Sequence, residues 1–256
     1  MRLELMTSPA VADYLTRSKG IIIPVGATEQ HGPDALIGTD HLCAEVIARR
    51  CGEANGIIVA PTVAYGMSQF HLGFAGTLSL RPSTLSALMH DLVSSLAATG
   101  FTRIYLLNGH GGNVAPLRSA VQEFYAARSL AGVREPSQVH CRILSWWELP
   151  KVNALRQRLY GAQEGYHATP SEVAITLAAH PDAIAPFERP APPAPGKDVI
   201  LHAGDNYYDA ADFRQRFQDG RVMSHSALAR REDGEELIRL AIDDLAQDFR
   251  AFCAAQ

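Results

Sequence analysis

The sequence predicts an α/β fold, a three-layer α-β-α sandwich around a mainly parallel central sheet. Four short runs of β-branched and apolar residues, Ile21 to Val25, Ile57 to Val63, Arg103 to Leu107 and Val139 to Leu144, read as strands covered on both faces. Helical patterns lie between them, and strand-helix alternation is the signature of βαβ crossovers. In such sheets the functional residues gather beyond the carboxyl ends of the strands. A chain of 256 residues, 47% hydrophobic, can bury one large core and reads as a single domain over 1–256.

Taken in order, the first strand runs into Gly26-Ala27-Thr28-Glu29-Gln30-His31-Gly32-Pro33, where polar residues abruptly replace apolar ones. In extended chain Glu29 and His31 project to the same side, because side chains alternate with period two. Asp40 then precedes a helical pattern from Leu42 to Ile47, and taken alone it reads as a helix N-cap. Leu85, Leu88, Met89, Leu92, Val93 and Leu96 form an i, i+3, i+4 stripe that starts behind Pro82 and stops at Gly100. The third strand ends in Asn108-Gly109-His110-Gly111-Gly112-Asn113, and three glycines around one histidine let the backbone turn and expose the ring. Histidine there suits a metal. A glycine nest for a nucleotide phosphate is the competing reading, though the GxGxxG spacing is absent. A purely structural glycine turn is the other.

Further on, Thr169 and Pro170 fit the N-cap and first position of a helix, which puts Glu172 where a capping box would use it. That role accounts for Glu172 alone and leaves His167 unexplained. The proline-rich stretch 186–197, PFERPAPPAPGK, reads as a stiff connection, either lid or spacer. Leu237, Ile238, Ala241, Leu245, Phe249 and Phe252 define a closing amphipathic helix.

A net charge of −4 gives no electrostatic footprint for nucleic acid or an anionic membrane, and a small neutral or polar ligand fits better. The cysteines Cys43, Cys51, Cys141 and Cys253 lack the spacing of a zinc knuckle or a disulfide framework. No stretch reaches the ~18 apolar residues of a membrane span, and the N-terminus has no unbroken apolar signal region. The expectation is a soluble cytoplasmic protein. Glutamate, aspartate and histidine without thiolates form a mixed oxygen and nitrogen set suited to zinc, manganese or iron, and an aspartate shared by two ions would make a dinuclear site.

The chain resembles the creatininase (creatinine amidohydrolase) family. The resemblance rests on GATEQHGPDALIGTD at 26 to 40, YGMSQFHLGFAGTLSL at 65 to 80, NGHGGN at 108 to 113 and HATPSE at 167 to 172, with DGRVMSHSALA at 219 to 229 similar to the family's C-terminal segment. It implies a creatininase-like sandwich that holds two divalent metal ions per chain. Glu29 and His110 would hold one ion, His31 the other, and Asp40 would bridge them. The family's creatinine-hydrolysing members carry a glutamate two residues after the NGH histidine, where this chain has Gly112. The family's other carboxylate matches Glu172, which the resemblance makes a ligand and catalytic residue. His167 would donate a proton to the leaving nitrogen. Ser68, His71, Trp146, Trp147 and Tyr166 would line the substrate pocket, the two tryptophans having core packing as their alternative.

The implied activity is hydrolysis of the C–N bond of a small cyclic or linear amide by a metal-activated water. Tyr166, the Ala168-Thr169-Pro170 run, Ala75 and Gln163 depart from the creatininase pattern and point away from creatinine. Formamide deformylation and peptide cleavage, both known in the family, are alternatives. So are a nucleotide-binding protein and a non-catalytic metal binder. The resemblance also implies a homo-oligomer, commonly a hexamer.

Overall fold

The structure, a computed structural model, describes residues 1–183 and 209–255. The expected lid or spacer at 186–197 lies outside the described residues.

Four parallel strands, β1 (Gly20–Val25), β2 (Ile58–Val59), β3 (Arg103–Asn108) and β4 (His140–Ser145), form one sheet in the order β2-β1-β3-β4. Around them lie α1 (Ser8–Arg17), α2 (Thr39–Asn55), α3 (Pro82–Ala98), α4 (Val114–Leu130), α5 (Pro150–Tyr160), α6 (Pro170–Ala179), α7 (Ala210–Arg216) and α8 (Arg231–Ala254). The register of β1 against β3 runs from Gly20 beside Arg103 to Val25 beside Asn108, so both strands end at the same level.

Alternation along the strands builds the three layers. Ile22, Tyr105 and Leu107 face a core shared with Ile47 of α2, Leu155 of α5, Ile175 of α6 and Leu237, Leu245 and Phe249 of α8. Ile21, Ile23, Val25, Ile104 and Leu106 face the other way, toward Tyr14 of α1, Leu85 and Met89 of α3 and Leu117 of α4. The expected α/β sandwich is the observed one. Among the described residues no helix is long and apolar enough to cross a membrane.

Two elements differ from expectation. The second strand is only two residues long, because Pro61 has no N–H to donate. The chain stays extended beside β1 nevertheless, with Ala60 N donating to Ile22 O at 2.8 Å and Val63 N to Pro24 O at 2.9 Å. Asp40 is not an N-cap: Gly38 holds that position and Asp40 is the second residue of α2, inside the first turn.

From β1 the chain crosses to β2 by α2 on one face, whereas β3 reaches β4 by α4 on the other. The crevice between the ends of β1 and β3 is therefore the switch point of the sheet, where such folds bind ligands.

Candidate metal centre

At that crevice the segment after β1 brings Glu29 and His31, the segment after β3 brings His110, and the first turn of α2 brings Asp40. The approach depends on two glycines. A Cβ on Gly26 would lie 2.4 Å from His41 Cα, and one on Gly109 would lie 2.2 Å from the Asp40 carbonyl oxygen. With no side chain at either position, the first turn of α2 settles directly on the strand ends and its carboxylate reaches the histidines.

Three overlapping sets of donor atoms result: Glu29, Asp40 and His110; His31, Asp40 and Glu172; and Glu29, His31 and His167, each set within 4.8 Å. Asp40 links the first two sets through different oxygens. Its Oδ2 is 3.0 Å from His110 Nδ1, and its Oδ1 is 3.1 Å from His31 Nε2. His31 Nε2 is also 3.8 Å from Glu172 Oε1. Glu29 Oε1 lies 3.4 Å from His110 Nδ1, from His167 Nδ1 and from His71 Nε2. The two imidazoles expected on separate ions, His31 and His110, thus meet the same carboxylate.

The far side of each ring explains its aim. His31 Nδ1 bonds the carbonyl of Glu29 at 3.0 Å, His110 Nε2 that of Met67 at 2.9 Å, and His167 Nε2 that of Gln30 at 2.8 Å. A carbonyl only accepts, so each outer nitrogen carries its proton and each inner nitrogen is turned to the acids, as ligating histidines are held. Neither Glu29 oxygen, nor Asp40 Oδ2, has a properly oriented hydrogen-bond donor, although all are buried. Buried carboxylate oxygens left this way are costly unless a cation or a proton completes them. The donor set of oxygens and imidazole nitrogens fits zinc, manganese or iron.

Electrostatics match that geometry. Burial opposes charge on His31, but Asp40, Glu172 and Glu29 together outweigh it and lift the imidazole to about 10; for His110, Glu29 and Asp40 together outweigh burial and lift it to about 9. Burial raises Glu29 to about 8 despite His110, and raises Glu172 to about 7 despite His31. For Asp40 the two imidazoles overcome burial and hold the carboxyl below its usual range. His167 and His71 are pushed well down, first by burial and then by neighbouring imidazoles.

Glu172 caps and faces the cluster at once. Its Oε1 accepts from Thr169 N at 2.5 Å while Thr169 Oγ1 accepts from Glu172 N at 3.3 Å, completing the expected capping box of α6. The same Oε1 is the atom near His31. His167 is fixed by a short antiparallel bridge to Val222, with Tyr166 N donating to Val222 O and Val222 N to His167 O. The residues flanking this bridge, Ala168 and Met223, both have φ near +56°, a conformation that costs energy in residues with a Cβ.

Of the expected pocket residues, Ser68 is buried and His71 stacks on His167 with ring centroids 4.1 Å apart. Tyr166 stands 70% exposed beside His167. Trp146 takes the core-packing alternative: it is buried among Ile22, Tyr105 and Leu149, and Trp147 packs on it edge-on. Sequence reasoning missed Asn113, whose amide donates to Gly26 O at 3.0 Å and whose carbonyl accepts from Met67 N at 3.0 Å, tying three loops together. It missed Gln30 as well. The signal for Gln30 was the same alternation that paired Glu29 with His31, since the residue between them must point elsewhere.

A family model described as creatinine amidohydrolase matches residues 4–249 of this chain. The chain belongs to the creatininase family. Creatinine amidohydrolase of Pseudomonas putida is 29% identical over 244 residues, covering 90% of this chain and 88% of the relative. The mycofactocin precursor peptide peptidase of Mycolicibacterium smegmatis is 42% identical over 107 residues, 40% of this chain and 43% of its own length. A solved structure described as creatininase with Mn superposes with a TM-score of 0.79 at 25% identity, over 99% of both chains. These relatives are hydrolases of amide C–N bonds, and this chain is a creatininase-family amidohydrolase.

Proposed function

We propose that this protein is a dinuclear metal-dependent amidohydrolase that cleaves the C–N bond of a small cyclic or linear amide. One ion would be held by Glu29, Asp40 and His110, and the second by His31, Asp40 and Glu172. The observation that carries this reading is the shared Asp40, whose two oxygens face two imidazoles that are each fixed from behind by a backbone carbonyl. Two divalent ions held there would supply a Lewis acid for the amide carbonyl and a water of lowered pKa.

The chain's own groups do the rest. His167 has its Nε2 proton committed to Gln30 O, so Nδ1 is the atom that can accept a proton from the attacking water and return it to the departing nitrogen. Burial and neighbouring imidazoles push that ring's pKa down, so it stands neutral with Nδ1 unprotonated. Ser68, which is buried, and Tyr166, which is exposed, would touch the substrate from the inner and outer sides.

Elemental analysis of the purified protein tests the reading, with about two transition-metal ions per chain expected and activity lost to chelators. Asp40→Ala is expected to lose both ions and turnover together, and full occupancy with full activity in that variant would remove the shared-ligand assignment. A second reading, cleavage of a peptide amide, is favoured by the higher local identity to the mycobacterial peptidase. A metal-reconstituted panel of lactams, hydantoin-like rings, formamides and short peptides separates the two.

A further inference from the structure

Four imidazoles converge on the cluster, and one of them is held differently. Gln30 is buried, and its side-chain amide cannot turn over. Its Oε1 accepts from Gly32 N at 2.8 Å, and its Nε2 donates to Gly220 O at 3.0 Å, two backbone groups with fixed polarity. Gly220 presses the amide in place, since a Cβ there would lie 1.9 Å from Gln30 Oε1. The second amide hydrogen has two candidate acceptors, His71 Nδ1 at 2.8 Å and His167 Nε2 at 3.0 Å. His167 Nε2 is already a donor to Gln30 O at 2.8 Å, and a protonated nitrogen accepts nothing. The amide hydrogen therefore goes to His71 Nδ1. In neutral His71 the ring proton then sits on Nε2, 3.4 Å from Glu29 Oε1.

We propose that Gln30 is a positioning residue that fixes His71 as the imidazole presenting an N–H to Glu29, while in His31, His110 and His167 the inner nitrogen is the one left open to a cation or a transferred proton. Held this way, His71 stays out of coordination and turns its N–H edge, at 3.4 Å, toward the carboxylate that would hold an ion. The proposal rests on the metal-site reading for its purpose, and on hydrogen-bond accounting alone for its geometry.

The test is long-range proton–nitrogen NMR on histidine-labelled protein, recorded metal-free and again with zinc. The expected wild-type spectra show His71 protonated at Nε2 in both. In Gln30→Met the His71 signal is expected to become a tautomer mixture, and in Gln30→Glu to move its proton to Nδ1. Zinc affinity in Gln30→Met, measured by chelator competition, is expected to weaken about 10- to 100-fold, the usual scale for a partner of a ligand. A wild-type His71 protonated at Nδ1, or a His71 tautomer unchanged in both variants, overturns the proposal. If wild-type protein takes no zinc, the metal reading fails, and the metal-free spectrum still decides the role of Gln30.

Discussion

The inner and outer nitrogens of the site histidines separate two jobs that are often merged. His167 is fixed by Gln30 O and contributes one free nitrogen, so His167→Ala is expected to keep the metal while the rate falls about 10²- to 10⁴-fold, the range for losing a proton-transfer group. Metal content by elemental analysis beside kcat checks both halves, and joint loss of metal and rate would recast His167 as a ligand. The raised imidazoles and carboxyls carry a pH consequence. His31 near 10, His110 near 9, Glu29 near 8 and Glu172 near 7 hold protons that an entering cation must displace. Binding therefore releases protons, and affinity rises with pH, by about tenfold per unit for each proton displaced. Chelator competition at pH 6, 7 and 8 reads this directly, and a flat or falling series contradicts it. At this scale the sequence showed Glu29 and His31 on one side, because strand alternation is local. Spacing alone could not place Asp40 between His31 and His110, since that depends on where another element lands; only the family resemblance carried that expectation.

Elements bring the distant residues in, and glycines set how closely. Gly109→Ala would drive a methyl group into the Asp40 carbonyl, so the first turn of α2 must lift from β3. Both stability and metal affinity are expected to drop, whereas Gly111→Ala, with open space around its Cβ, changes neither by much. Urea denaturation and metal competition on the pair provide the comparison. The capping box of α6 was legible from Thr169, Pro170 and Glu172, as caps are sequence-local devices. Its approach to His31 is not a local property, and only the family resemblance carried that expectation. α1 was missed although Val11, Tyr14 and Leu15 of Ser8–Arg17 keep i, i+3, i+4 spacing and pack on the second face of the sheet.

For the whole molecule, the alternation of strands and helices foretold the parallel sheet and the end at which chemistry gathers. The switch point between β1 and β3 was not legible, because strand order follows from which face each crossover covers. The donors come from chain positions 29–31, 40, 110 and 172, so the two proposed ions would join segments that meet only in the folded state. Ligands that bind the folded chain alone stabilise it by about 2.7 kcal/mol at a hundredfold excess over Kd. For a chain of this size that is a rise of roughly 5–10 °C in melting temperature. Calorimetry with and without zinc measures it, and an unchanged melting temperature would separate the donors from any cation.

The bridge between His167 and Val222 has a consequence beyond holding one ring. Tyr166, bare to the outside, hangs on the same pair of backbone bonds that aims the imidazole below it. Whatever leans on that phenol from the solvent side leans on a two-rung ladder, so under the proposed function a guest pressing on Tyr166 would bear on the ring of His167 as well.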